Sequence, residues 1–403
     1  MPDVAILSLH SSPLVQPGTG DSGGMNVYVR ELAASLAQAG VGTTVYVRRW
    51  ADDLPDEVAV EPGLRVVHLD AGPTTLAKED LPDVVDEFTD ALVDRLLVEP
   101  VDVVHANYWL SGVAGHRVKH RLDLPLVSTF HTLARVKAET GDPEPDRRID
   151  AETEVVGCSD VIVANSVEEV RQLVRLYGAE RDRIEIVPPG VEHAFFSPGD
   201  KRGARRAVDL DEDAPTLLFV GRIQPLKGLQ VVVGALAALN RPDARLVVVG
   251  GPSGADGPAE VARVQKLAAA LGVAHQIRYV DPQPHHLLST WYRAADVVLV
   301  PSRSESFGLV ALEAAACGVP VVAAAVGGLR TLVDHGRTGL LVDERSPEAF
   351  AAATASILDD PAVAASLGAA AAGRARGYTW STAAARLRRV YADLTTRSLV
   401  DCA

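Results

Sequence analysis

Glu305 and Glu313 stand eight residues apart, with Phe307-Gly308 between them and the apolar run VVLVP (297–301) just before. The run reads as a strand, and Glu305 falls where that strand ends and a helix begins. Two turns of helix, at about 3.6 residues per turn, then place both carboxylates on nearly one face. The free N–H groups of a helix start favour an anionic ligand such as a diphosphate. One carboxylate is then free to hold sugar hydroxyls and the other a ribose. A helix-capping Glu305 and a solvated Glu313 would give the same spacing, so the rest of the chain has to decide.

Other residues with chemical potential fall at strand ends. Gly18-Thr19-Gly20-Asp21-Ser22-Gly23-Gly24-Met25-Asn26 follows the first strand and opens a helix. Its G-x-G-x-x-G spacing resembles a nicotinamide fingerprint. However, the loop from His10 to Pro17 is too long for that tight turn, and the second strand ends on Arg48-Arg49 with no acid for a ribose. Gly23-Gly24 ahead of a helix instead suits close backbone approach to a diphosphate or a sugar. Arg222 and Lys227, in the turn after the first strand of the second half, are placed to offset charge on a leaving diphosphate. His131 ends the strand-like run LPLVSTF (124–130). Lys78, Asn107-Tyr108-Trp109, Thr132 and Arg147-Arg148 are candidates for holding an acceptor, although two adjacent arginines alone also fit a solvated helix face.

The elements that must position these groups read as two α/β halves. In the first, the strands are VAILSL, TTVYVRR, LRVVHL, VDVVHA, LPLVSTF, DVIVANS and RIEIVP. In the second they are TLLFVGR, ARLVVVGG, QIRYVD, DVVLVP, PVVAAAV and GLLVD. Short continuous Val/Ile runs are typical of parallel strands buried on both faces. Helical stretches alternate with them, which indicates doubly wound, Rossmann-like domains with ligands at the carboxyl ends of the strands. The expected domains are 1–190, 191–377 and a tail helix, 378–403, that returns to the first. The Pro/Gly-dense stretch 188–199 is the linker, and Ser381 the expected cap of the tail helix.

Composition narrows the function. At 403 residues the chain is long for one core. A net charge of −14 argues against nucleic acid, whose phosphates need basic surface. No apolar run reaches the ~18 residues of a membrane span, and no basic segment precedes the short apolar run at the start. These features lead to the expectation of a cytoplasmic enzyme. Cys158, Cys317 and Cys402 are odd in number and far apart, and are expected to form neither a disulfide framework nor a zinc pattern.

Taken together, Gly23–Asn26, Gly221–Gly228, Glu305–Glu313 and Ala323–Leu329 resemble the retaining glycosyltransferases of family 4, which have the GT-B fold of two Rossmann-like domains facing a central cleft. The similarity runs from Val4 to about Trp380. Within the family, His10–Val29, His105–Gly112 and Phe130–Lys137 are similar to the inositol-phosphate N-acetylglucosaminyltransferases of mycothiol synthesis. Sucrose-phosphate synthases share some of these features.

The resemblance implies roles. Arg222 and Lys227 bind the donor diphosphate, Glu305 contacts the donor sugar, Phe307-Gly308-Leu309 lie beside sugar and phosphate, and Glu313 holds the ribose. Gly23, Gly24 and Asn26 close over the diphosphate and acceptor, and His131 sits near the donor sugar. Lys78, Tyr108, Thr132 and Arg147 grip an acceptor phosphate. His131, Glu305, Arg222 and Lys227 form the expected catalytic set. The expected partners are a nucleotide sugar, with UDP-N-acetylglucosamine favoured, and a small polar acceptor, while a homodimer is left open. No D-x-D motif is visible, so neither a metal nor another cofactor is expected, and the two cations take the metal's place.

The acceptor side departs from the mycothiol enzymes in a short segment after Lys137, an acidic run from Asp150 to Glu154, and Asn107 where a histidine is usual. The acceptor therefore stays open between a cyclitol phosphate such as inositol 1-phosphate and an aminocyclitol. An epimerase and a non-catalytic nucleotide-sugar binder are the alternatives of another class.

Overall fold

The structure is a computed structural model that describes residues 2–18, 20, 22–254 and 256–402. Thr19 and Asp21 of the glycine-rich segment lie outside the described residues. The chain divides into two compact units. The first is Met1–Val15, Met25–Gly190 and Trp380–Ala403, and the second is Gln16–Gly24 with Val191–Thr379.

The first unit is built on an eight-stranded sheet. Its strands are β1 (Asp3–Leu7), β2 (Gly42–Arg48), β3 (Glu57–Glu61), β4 (Leu64–Leu69), β5 (Val103–Asn107), β6 (Leu126–Thr129), β7 (Val161–Ala164) and β8 (Ile184–Ile186). Their order is β3-β4-β2-β1-β5-β6-β7-β8, parallel except for the β3–β4 pair. The sequence reading lacked β3, EVAVE. It is a short edge strand with no buried residue, so it has none of the continuous apolar character that marks the others. The tail helix Trp380–Leu394 inserts Trp380, Ala384, Leu387 and Tyr391 into this unit's core, beside Val4, Leu32 and Val45. Ser381 lies inside that helix and not at its cap.

The second unit carries a wholly parallel six-stranded sheet. It comprises β9 (Thr216–Val220), β10 (Arg245–Val249), β11 (Ile277–Val280), β12 (Val297–Val300), β13 (Val321–Ala324) and β14 (Leu340–Val342), in the order β11-β10-β9-β12-β13-β14. All six match the apolar runs of the second half.

Each sheet reverses its winding once, between β1 and β5 in the first unit and between β9 and β12 in the second. The carboxyl edges at such reversals are where doubly wound folds leave room for ligands.

Candidate active site

In the second unit, β9 and β12 deliver the charged residues. Beyond β9, Arg222 reaches Ser253 Oγ at 3.2 Å. The short 3-10 turn Pro225–Lys227 is tied to the exit of β12 by the Arg303 amide donating to the Leu226 carbonyl at 2.9 Å. That tie lets Lys227 Nζ donate to Glu305 Oε2 at 2.8 Å.

Glu305 is not on a helix. The helix begins at Leu309, so the two carboxylates do not share a helical face. Glu305 sits in the loop before it, and two glycines hold that loop. The Gly328 amide donates to the Glu305 carbonyl at 2.8 Å. A Cβ at Gly327 would lie 2.0 Å from the Glu305 oxygen, and one at Gly328 2.4 Å from Phe307 Cα. The segment Ala323–Leu329 is thus the mould for the Glu305 loop, since no residue with a side chain allows backbones to approach so closely. Phe307 and Gly308 are buried within the loop, and Leu309 opens the helix.

Glu313 lies further along that helix and is 5% exposed. Tyr292 Oη donates to its Oε2 at 2.7 Å, and His285 Nε2 meets its Oε1 at 2.7 Å. Burial and the neighbouring carboxylate push the Tyr292 phenol well up, so it remains a donor. His285 and Tyr292 escaped the sequence reading because no motif marks them. Gly23 approaches Arg222 closely: a Cβ there would lie 3.0 Å from Arg222 Nε, and one at Gly24 3.4 Å from Leu309 Cδ1. The paired glycines let this backbone pass against the arginine and the helix start.

In the first unit, β5 and β6 deliver the other group. Tyr108 follows β5 with φ 75°, and His131 follows β6 with φ 62°. The Thr132 amide donates to the Phe130 carbonyl at 2.7 Å across His131, a γ-turn of the rare strained kind. Two non-glycine residues at positive φ on adjacent strand ends mark a place where backbone strain is tolerated, as it is at functional sites. His131 Nε2 lies 2.9 Å from Asn107 Oδ1, and Tyr28 meets its ring at 4.7 Å. Burial, reinforced by His105, pushes the His131 imidazole down to about 3. It is therefore neutral near pH 7, with Nε2 carrying the proton when the amide oxygen accepts. Asn26, 2% exposed, donates to Ser11 Oγ and the Ser12 carbonyl at 2.5 and 2.6 Å.

The two neighbouring arginines divide their work. Arg148, 3% exposed, binds Glu152 at 2.8 Å, donates to Thr132 Oγ1 at 2.9 Å and stacks over the Tyr108 ring at 5.0 Å. Arg147 is exposed, donates to the Glu79 carbonyl at 3.0 Å and faces Asp83 at 3.8 Å. Tyr108 and Thr132 are thus joined through Arg148. Arg147 instead reaches the segment Lys78–Val84, whose first residue, Lys78, is exposed. Arg148 is the residue the sequence reading left in the background, as half of what resembled a solvated pair. Glu152 of the acidic run is fully buried and also accepts from the Ala134 amide and Tyr177 Oη, so it serves the fold.

Residues 22–195 match the family described as Glycosyltransferase Family 4, and residues 200–374 match Glycosyl transferases group 1. A D-inositol 3-phosphate glycosyltransferase of Thermobispora bispora is 48% identical, over 97% of this chain and 94% of that protein. The chain belongs to the family 4 glycosyltransferases. A D-inositol 3-phosphate glycosyltransferase of Kineococcus radiotolerans is 47% identical, over 96% of this chain and 94% of its own length.

Among solved structures, a sucrose-phosphate synthase from Thermosynechococcus elongatus is 32% identical with a TM-score of 0.92, covering 98% of this chain and 99% of its own. Anabaena HepE, solved with UDP and glucose, shares the fold at 18% identity and a TM-score of 0.79, covering 98% of this chain and 100% of its own. The fold of this family 4 glycosyltransferase is therefore GT-B. Among the described residues, no helix is long and apolar enough to cross a membrane.

Proposed function

We propose that this glycosyltransferase moves an N-acetylglucosamine unit from its UDP donor to a phosphorylated inositol, with retention at the anomeric carbon and no metal in the transfer step. In this reading the second unit holds the donor. Arg222 and Lys227 bind the diphosphate, Glu305 the sugar and Glu313 the ribose, while Gly23, Gly24 and the loop 307–309 provide close backbone. The first unit holds the acceptor. Tyr108 and Thr132 are fixed by Arg148, Asn26 and His131 contribute further polar groups, and Arg147 and Lys78 supply positive charge for the phosphate.

The Lys227–Glu305 pair carries the proposal. A cation beyond β9 and a carboxylate beyond β12 meet at the winding reversal of one sheet, and the loop that carries the carboxylate is held by Gly327 and Gly328. The relatives, D-inositol 3-phosphate glycosyltransferases by name, favour a phosphorylated inositol. Glu152, buried and ion-paired with Arg148, removes part of the acidic character that would suit an aminocyclitol.

The test is transfer assayed with UDP-N-acetylglucosamine and, in separate arms, the 1- and 3-phosphates of inositol, which are mirror images, free inositol, and an aminocyclitol. The expected result is an α-linked product with one inositol phosphate at a rate far above free inositol, unchanged by a chelator. Preference for free inositol or an aminocyclitol would overturn the acceptor. A β-linked product would overturn retention, and loss of transfer restored only by magnesium or manganese would overturn the metal-free step.

A further inference from the structure

Away from these groups, the first unit gathers four metal-ligating side chains that no motif announces. His116 and His120 lie on the helix Trp109–Leu122, four residues apart and so on one face. Cys158 is the last residue of the helix Asp146–Cys158, and Cys402 comes from the segment after the tail helix. One donor atom from each of the four lies within 4.8 Å of all the others. We propose that His116, His120, Cys158 and Cys402 form a structural zinc site that fastens the C-terminal segment to the first unit.

The distances from His120 fit a shared ion. Zinc–sulfur bonds of about 2.3 Å and zinc–nitrogen bonds of about 2.0 Å, set tetrahedrally, leave ligand atoms roughly 3.5 Å apart. His120 Nε2 lies 3.5 Å from Cys158 Sγ, 3.4 Å from Cys402 Sγ and 3.0 Å from His116 Nε2. A single ring nitrogen has one lone pair or one proton, so it cannot satisfy three neighbours by hydrogen bonding. One cation at the centre accounts for all three. Two histidines and two thiolates are also a ligand set of structural zinc, and the two thiolates balance the ion's charge.

The surroundings support the ligands. His116 turns its other nitrogen, Nδ1, to Glu154 Oε1 at 3.4 Å, the carboxylate contact that orients metal-bound imidazole. Lys119 Nζ donates to the Cys158 carbonyl and to Asp160, each at 2.9 Å. Asp160 Oδ1 accepts from the Val400 amide at 2.6 Å. The chain is thus already held two residues before Cys402.

The competing use of the sulfurs is the disulfide in which the structure pairs Cys158 with Cys402, their Cα atoms 5.3 Å apart. A disulfide has no proton to give and is a poor acceptor, so it gives the His120 nitrogen no partner beyond His116. The pairing of Cys158 with Cys402 corrects the expectation that the cysteines form no disulfide, and the proposed site departs from the expectation that they form no zinc pattern. The sulfurs are 244 residues apart in sequence, far beyond the spacing of recognisable zinc motifs.

The full chain, purified with reductant and dialysed without chelator, should hold about one zinc per chain by elemental analysis. After stripping, cobalt(II) should give the intense visible bands of a tetrahedral site together with a thiolate charge-transfer band. Cys402→Ser, in the terminal segment, should lose both the zinc and the charge-transfer band while keeping its circular dichroism. His120→Ala should lower zinc content at least tenfold. Zinc below a tenth of an equivalent in reduced wild type would overturn the proposal, as would zinc that persists in Cys402→Ser. So would an unreduced chain lighter by two hydrogens that takes up no cobalt after reduction.

Discussion

Replacing Lys227 with alanine separates a catalytic charge from a structural one. Lys227 Nζ and Glu305 Oε2 are 2.8 Å apart, with side chains 24% and 18% exposed. A pair this open to water contributes about 0–1 kcal/mol to folding, so the melting temperature should fall by no more than a few degrees, roughly. The transition-state contribution is larger. Removing one preorganised donor from a water-excluded site costs about 2.7–4 kcal/mol. Partial exposure discounts this to about 1.5–3 kcal/mol, or roughly ten- to a hundredfold in kcat. Part of the loss would come from freeing Glu305, so Glu305→Gln and the double variant complete the cycle, and the double loss should be smaller than the product of the single losses. The assay is the initial rate against donor concentration at saturating acceptor, paired with thermal unfolding. A Lys227→Ala rate within twofold of wild type would refute the reasoning. So would a rate loss matched by a collapse in melting temperature, because the lysine would then be structural.

Three further outcomes follow from the geometry. Arg148→Ala leaves Glu152, fully buried, without its cation, which should cost about 3–5 kcal/mol, whereas Arg147→Ala should change stability by less than about 0.5 kcal/mol yet erase the preference for a phosphorylated acceptor. Equal melting curves, or an unchanged preference, would contradict this division. Gly328→Ala would bring a Cβ within 2.3 Å of the Ser306 carbonyl oxygen and should lower kcat more than tenfold by roughly the same logic of lost positioning; Gly373→Ala, on an open helix surface, is the neutral control, and equal activity in both would count against the mould. His105 and His131 are both held near 3 by burial, against about 6.5 when unfolded. The unfolded chain binds the protons that the folded chain refuses, so stability is complete above about pH 6.5 and declines as pH falls from there towards 3; a urea midpoint unchanged between pH 6.5 and 4 would refute those burial shifts.

The strands were legible because parallel strands buried on both faces leave continuous Val/Ile runs, as in VVLV at β12. EVAVE at β3 was not, because an exposed edge strand has no such run. The charged turn of Arg222 and Lys227 was legible because it follows a strand directly. The place of Glu305 was not, because helix periodicity extends back over residues 305–308 whereas the helix starts after Gly308, whose φ is 101°. The partners of Glu313 and the division between Arg147 and Arg148 come from tertiary packing, which a local pattern does not encode. The same holds for Cys158 and Cys402. Only the i, i+4 histidines, His116 and His120, left a local trace of that site.

The proposed retention leaves open which group takes the acceptor's proton, and the titration of His131 narrows the choice. His131 stands at the end of β6 and is the obvious base by residue type. Yet an imidazole driven down to about 3 by burial is a weak base, and general-base efficiency falls as the pKa drops below the working pH. Glu305 is ion-paired with Lys227, and Glu313 is held by Tyr292 and His285, so neither carboxylate is poised as base or nucleophile. In the proposed reaction the departing diphosphate oxygen is the strongest remaining acceptor, and Arg222 and Lys227 stabilise it as its bond to the sugar breaks. His131 then serves as a neutral donor that orients the sugar. It follows that kcat should show no limb with a midpoint near 6.5, and that His131→Asn, which keeps a donor, should retain more activity than His131→Ala. The pH–rate profile of kcat at saturating substrates decides this. A limb near 6.5 that disappears in His131→Asn would make the histidine the base and overturn the argument.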